Sequence, residues 1–249
     1  MSGHSKWHNI RVKKSKVDAQ KGKMFTKVSK EIYLSARKGG GDPAANFALK
    51  NAILRAREVN MPADNIKRVI EKATGGGDGS SFEEITYEGY GPHGVAVMVE
   101  ATTDNRNRTA ADMRHLFSKY GGNLGETGCV GWMFKKQGII VIPADAVDEE
   151  RLIDVASTAG ADDVQMGEDG WEVVTPPEAY FEVLEALEKA AIKPDSSELT
   201  MVPDTQVTLG KAEAPSVLKL MEMIEDHDDV QNVYANFDIP ADVLEAVTA

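Results

Sequence analysis

The run Thr103-Asp104-Asn105-Arg106-Asn107-Arg108-Thr109 has side chains suited to holding an anion. It lies between an apolar strand-like run and a helix that Asn107 or Thr109 can cap. Free N–H groups and the dipole at such a helix start favour negative charge, and Arg106 and Arg108 add guanidinium forks that match phosphate. The competing reading pairs both arginines with neighbouring carboxylates. An exposed pair would argue for phosphate. A second cationic group precedes it in GHSKWHNIRVKKSKVDAQKGK, residues 3–23. Cations supply sequence-independent affinity for polyanions by counterion release, and Trp7 can either stack on an unpaired base or pack on its own domain. The expected nucleic-acid-binding residues are Lys6, Trp7, His8, Arg11, Lys13, Lys14, Lys16, Lys21, Lys23, Lys27, Arg106, Arg108 and Arg114.

Catalytic chemistry is not indicated by spacing. No nucleophile stands beside a base, and no pair of carboxylates is set apart from the general acidity. Cys129, between Gly128 and apolar Val130, reads as a core thiol. His4 and His8 lack a third ligand, and Ser2-Gly3-His4 is at most an unshielded nitrogen site, so no metal or cofactor is expected. Gly89-Tyr90-Gly91-Pro92-His93-Gly94 matches G-x-G-x-x-G, but a strand follows where a dinucleotide site needs a helix, so a hairpin turn is expected. The acidic string EDHDDVQ (225–231) reads as a helix end and a solvated turn.

These residues sit in a chain of two electrical characters. The net charge is −12 over 249 residues, yet residues 1–80 hold 17 Lys and Arg against 7 Asp and Glu, leaving 11 against 33 in the remainder. The first part attracts polyanions and the second repels them. Hydrophobic residues at 42% and charged residues at 27% describe a globular chain with no membrane-length apolar run. One cysteine and no secretory signal pattern suit a cytoplasmic location.

Residues 1–16 show no apolar periodicity and read as a flexible basic arm. A helical domain follows over 17–78: one helix carries Phe25, Val28, Ile32 and Ala36 to the glycines at 39–41, a second is capped by Asp42, and a third starts near Pro62. The run GGGDGSS (75–81) reads as a hinge. Beyond it, 138–202 follows the order βαββαβ, a ferredoxin-like arrangement. The flanking pieces, strand 94–103, helix 107–120, strand 129–136, strand 205–209, helix 214–226 and strand 230–237, spell a second such unit. The expected fold is α+β in three domains, a three-helix domain and two ferredoxin-like domains, with 137–203 inserted into a discontinuous domain of 82–136 plus 204–240.

GHSKW (3–7), KGKMFTK (21–27), YEGYGP (87–92), TTDNRNRT (102–109) and GGNLG (121–125) together resemble the YebC family, which includes a mitochondrial translational activator. The resemblance spans the chain and implies a helical amino-terminal domain with two α/β domains. His93 stands where the family usually has Gly, and Gly128-Cys129 replaces the commoner Gly-Ser. Family members are described as DNA-binding transcriptional regulators, while the mitochondrial relative and bacterial members linked to stalled ribosomes imply a role in translation. No helix here has the character of a major-groove reader. The expectation is a monomeric, non-enzymatic regulator of gene expression whose partner is nucleic acid, with rRNA and the ribosome favoured and promoter DNA second. The alternative is a protein-interaction adaptor.

Overall fold

The computed structural model describes residues 18–75, 82–167 and 170–248. The expected arm, with Lys6, Trp7, His8, Arg11, Lys13, Lys14 and Lys16, lies outside them, as do His4 and residues 76–81 of the expected hinge.

Three helices open the described chain: α1 (Asp18–Gly39), α2 (Phe47–Glu58) and α3 (Ala63–Thr74). Val28, Ile32 and Ala36, spaced at four residues, turn one face of α1 onto Leu49, Ala52 and Ala56 of α2 and Ile66 of α3. Asp42 does not cap α2. Its carboxylate accepts from Ala44 N–H in the preceding turn, and Asn46 is the cap, accepting from Leu49 N–H at 3.1 Å. Asn46 is chosen by reach: buried against the end of α1, its amide also donates to the carbonyls of Ser35 and Gly40, each at 2.8 Å. One side chain thereby satisfies groups at the end of one helix and the start of the next.

Next come β1 (Glu83–Tyr90), β2 (Ala96–Thr103), α4 (Arg106–Lys119), β3 (Asn123–Leu124), β4 (Phe134–Ile142), α5 (Glu149–Thr158), β5 (Asp163–Met166), β6 (Trp171–Thr175), α6 (Tyr180–Lys189), β7 (Ser196–Pro203), β8 (Val207–Thr208), α7 (Ala214–Glu225), β9 (Val230–Ala235), β10 (Phe237–Asp238) and α8 (Ala241–Thr248). The sequence patterns above did not include α8. The second sheet runs β5-β6-β4-β7 with every pair antiparallel. That is the 4-1-3-2 layout of the ferredoxin-like unit, and α5 and α6 cover it through Leu152, Ala156, Val183 and Leu187.

The first sheet runs β3-β1-β2-β9. It has the same 4-1-3-2 layout, but with different strands from those expected. The place of the third strand is taken by β1, from the start of the unit, instead of 205–209. Residues 207–208 form only a short parallel pair with β10. Nor does 129–136 join this sheet: regular pairing begins at Phe134 and belongs to β4 of the second sheet. The choice is physical. β1 and β2 are adjacent in sequence and pair over eight residues, Glu83↔Thr103 to Tyr90↔Ala96, so the hairpin closes at far lower loop entropy than a strand arriving a hundred residues later. Gly89 lets the β3 segment approach, since a Cβ there would lie 2.5 Å from the Asn123 carbonyl oxygen.

The hairpin turn forms where the G-x-G-x-x-G pattern stood. His93 and Gly94 both adopt the left-handed region (φ 61° and 75°), and Gly91 N–H donates to the Val95 carbonyl at 2.8 Å. Helices α4 and α7 pack on one face of the sheet, joining Val97, Val99, Met113, Phe117, Leu220, Met221 and Ile224 in one core. Val130 and Phe134 cover Ala96 and Met98 on the other face.

Candidate nucleic-acid interface

Helix α7 ends at Glu225 with orphan carbonyls directed out of its last turn. Three lysines on one face of α1 meet that end and the turn beyond it. Lys27 donates to the Glu225 carbonyl at 2.5 Å, Lys23 to that of Asp226 at 3.2 Å, and Lys30 to that of Asp228 at 2.9 Å. Cations at a helix C-terminus are favoured by the dipole as well as by the hydrogen bonds. Lys23 and Lys27, expected to meet nucleic acid, thus have their ammonium groups directed onto this helix end. Lys21 lies in α1.

The same turn carries Asp229, buried and bonded on all sides. Its Oδ1 accepts from Lys30 at 2.6 Å, and its Oδ2 from Thr109 at 2.7 Å, Arg108 at 2.9 Å and Thr103 at 3.2 Å. Burial alone would raise this carboxyl's pKa. Lys30, Arg108 and Thr109 outweigh burial and hold it far below the usual carboxylate range. His227 accepts the Asp229 N–H at Nδ1 and faces Asp112 through Nε2 at 3.2 Å, an arrangement that suits a proton on Nε2. These groups line a shallow cleft of about 520 Å³ with Lys23 and Arg108 on its wall. With Asp112, Asp226, Asp228 and Asp229 beside them, the cleft does not suit a polyanion.

The arginine loop divides between its two readings. Asn105, rather than Asn107 or Thr109, caps α4, accepting from Arg108 N–H at 3.1 Å. Thr109 is taken by Asp229. Arg108 bridges Asp104 and Asp229, each at 2.9 Å, and is therefore engaged within the protein. Arg106 is exposed and makes no ion pair among the described residues, and Arg114 is exposed further along α4. Both arginines are exposed, but Arg108 is held by two carboxylates whereas Arg106 pairs with none among the described residues.

Further exposed cations were not singled out from the sequence: Lys50 and Arg57 on α2, seven residues apart on one face, and Arg68 and Lys72 on α3, four apart. Over residues 18–75 there are 12 Lys and Arg against 6 Asp and Glu. Periodicity could have found this face, because the same register that buries Leu49 and Ile66 turns these residues outward.

The segment Gly128–Met133 is shaped by Glu88, whose buried carboxylate accepts from the N–H groups of Gly128 (2.8 Å), Val130 (2.9 Å) and Gly131 (2.6 Å). Burial alone would raise its pKa, and the three N–H groups lower it on balance. The half-buried Cys129 thiol is pushed up by burial and then by the Glu88 charge, the opposite of what an activated nucleophile needs. Among the described residues, no group of three or more His, Cys, Asp or Glu is placed to hold a metal ion.

A helical bundle joined to two antiparallel sheets, the second set into the connection of the first, defines an α+β protein. Residues 5–76 match the family model for the TACO1/YebC protein N-terminal domain, and 82–237 match that for the TACO1/YebC second and third domain. The chain belongs to the TACO1/YebC family. It is 53% identical to a probable transcriptional regulatory protein of Dictyoglomus turgidum, over all of both chains. A protein of the same name from Geobacter sulfurreducens is 55% identical, with 98% of this chain and 99% of that one covered. The crystal structure of a conserved hypothetical protein from Aquifex aeolicus superposes with a TM-score of 0.78 at 48% identity, over 91% of this chain and 94% of that chain.

Proposed function

We propose that this protein is a non-enzymatic regulator of gene expression that binds nucleic acid through its basic amino-terminal region and acts, as a cytoplasmic monomer, on RNA of the ribosome. The observation that carries this reading is the division of charge. A helical bundle with twice as many cations as anions is fixed by Lys23, Lys27 and Lys30 to a strongly acidic body. The acidic body repels phosphate over most of its surface, so the bundle, the arm and Arg106 orient the molecule on a polyanion. Lys6, Trp7, His8, Arg11, Lys13, Lys14 and Lys16 supply the arm's share; Lys21 of α1 adds its charge, and Lys50, Arg57, Arg68 and Lys72 extend the same surface. No described helix is long and apolar enough to cross a membrane.

The test is sedimentation of lysate through sucrose gradients at two salt concentrations, with and without RNase. Migration with ribosomes that is lost on replacing Lys13, Lys14 and Lys16 by Ala is the expected result. Each lost phosphate contact also lowers the slope of log K against log[salt] by about 0.7–0.9. A second reading follows from the relatives' names, which point to transcription. If the protein stays at the top of the gradient and shifts promoter DNA in a salt-dependent manner, that reading replaces the ribosomal one.

A further inference from the structure

Trp132 is 73% exposed, the highest value among the exposed large hydrophobic residues, and Tyr90 beside it is 40% exposed. Both donate to one acceptor, the Cys129 carbonyl: the indole N–H at 3.2 Å and the tyrosine hydroxyl at 3.4 Å. Their polar edges are thereby satisfied and their ring faces left to solvent. The backbone beneath is fixed by the three N–H bonds to Glu88, itself only 6% exposed. Lys135 and Lys136 follow within four residues; Lys135 pairs with Asp204, whereas Lys136 is exposed and makes no ion pair among the described residues.

We propose that Trp132, supported by Tyr90, is a stacking platform for an unpaired base of single-stranded nucleic acid, with Lys136, four residues along the chain, available to a neighbouring phosphate. An anchored, solvent-facing aromatic surface with an exposed cation four residues along the chain fits a planar anionic ligand, and a nucleotide in a single strand has both properties. The platform lies at the Tyr90 end of β1, seven strand steps and roughly 23 Å from Glu83. Glu84, one step in from that far end, is the residue that α1 reaches through Lys38. It is therefore a second contact, away from the Glu84 end that Lys38 reaches, and it rests on the nucleic-acid reading above.

The experiment measures binding of the full chain to a labelled oligouridine across a salt series, for the wild type, Trp132→Ala, Trp132→Phe and the Lys13, Lys14, Lys16→Ala variant. Expected is a loss of about five- to one-hundred-fold for Trp132→Ala with the salt slope unchanged, because an indole releases no counterion. Trp132→Phe, which keeps a face but loses the bond to Cys129, retains most of the affinity. Equal affinity of wild type and Trp132→Ala, with the lysine variant weakened, overturns the platform and leaves the basic arm standing. Absence of any binding by the wild type overturns both.

Discussion

Asp229 and Glu88 are both buried carboxylates in the first α/β unit, and they are neutralised in different ways. Asp229 takes two cations and two hydroxyls from α1, α4 and β2, elements separated by up to 199 residues in sequence. Glu88 takes three backbone N–H groups from four consecutive residues and no cation. The difference separates fastening from shaping. Where distant segments must be held together, the charge is met by charges on long side chains. Where one loop must keep a conformation, backbone dipoles suffice.

The sharpest way to break the comparison is to remove Asp229. Its loss leaves Lys30 buried without its carboxylate, so Asp229→Ala should destabilise the fold by about 3–5 kcal/mol, read from urea unfolding. An effect under 1 kcal/mol would show that the junction is not held by this residue. Glu88→Ala should cost less, about 2–3 kcal/mol, because only N–H groups of one loop lose their partner. Its signature is local: hydrogen exchange should accelerate at Gly128, Val130 and Gly131 while the Lys30 junction keeps its protection. Exchange rising equally in both places would erase the distinction.

Acid sharpens the same contrast. Both carboxyls have lower pKa values folded than unfolded, so the stability they confer is complete above the ordinary range of about pH 4 and is lost as pH falls through the depressed folded values. Asp229→Asn should therefore flatten the fall in urea midpoint below about pH 4. An unchanged acid limb would contradict the depressed value. Smaller effects come from the helix end. Lys27→Ala removes a cation from the terminus of α7 and should cost about 0.5–1 kcal/mol, an amount that added salt reduces. Smallest of all is Arg106→Ala, with stability within about 0.5 kcal/mol of the wild type. Its effect should appear as a reduction of about one in the salt slope of nucleic-acid binding.

Local patterns were legible in the sequence. Four-residue spacing in Val28, Ile32 and Ala36, and the continuous apolar run of β2, depend only on neighbours, and those elements formed where expected. Pairing was less legible. Residues 82–90 and 205–209 are both strand-like in composition, and nothing within either run says which of them lies beside β2. Asp229 was missed for the same reason. In EDHDDVQ it is one acid among four, and its burial is decided by Lys30 and Arg108, which lie in distant segments. The lysines of α1 show the same limit: their charge was visible, but the end of α7 and the turn beyond it, which receive Lys23, Lys27 and Lys30, were not. Arg108 is likewise drawn onto a carboxylate from a distant segment, whereas Arg106, two residues earlier, pairs with none among the described residues.

The pairing of β2 with β9 has a consequence for the order in which the chain is made. Ala101 meets Val230, about 130 residues later, so at about 5–20 residues per second roughly 6–26 seconds of synthesis separate the two partners. The second sheet, complete at Pro203, leaves the ribosome and can close within that interval, before the first sheet acquires its last strand. Asp229 emerges at the very end of the same wait, so α1 has no final berth until the guest has folded and the host has shut behind it.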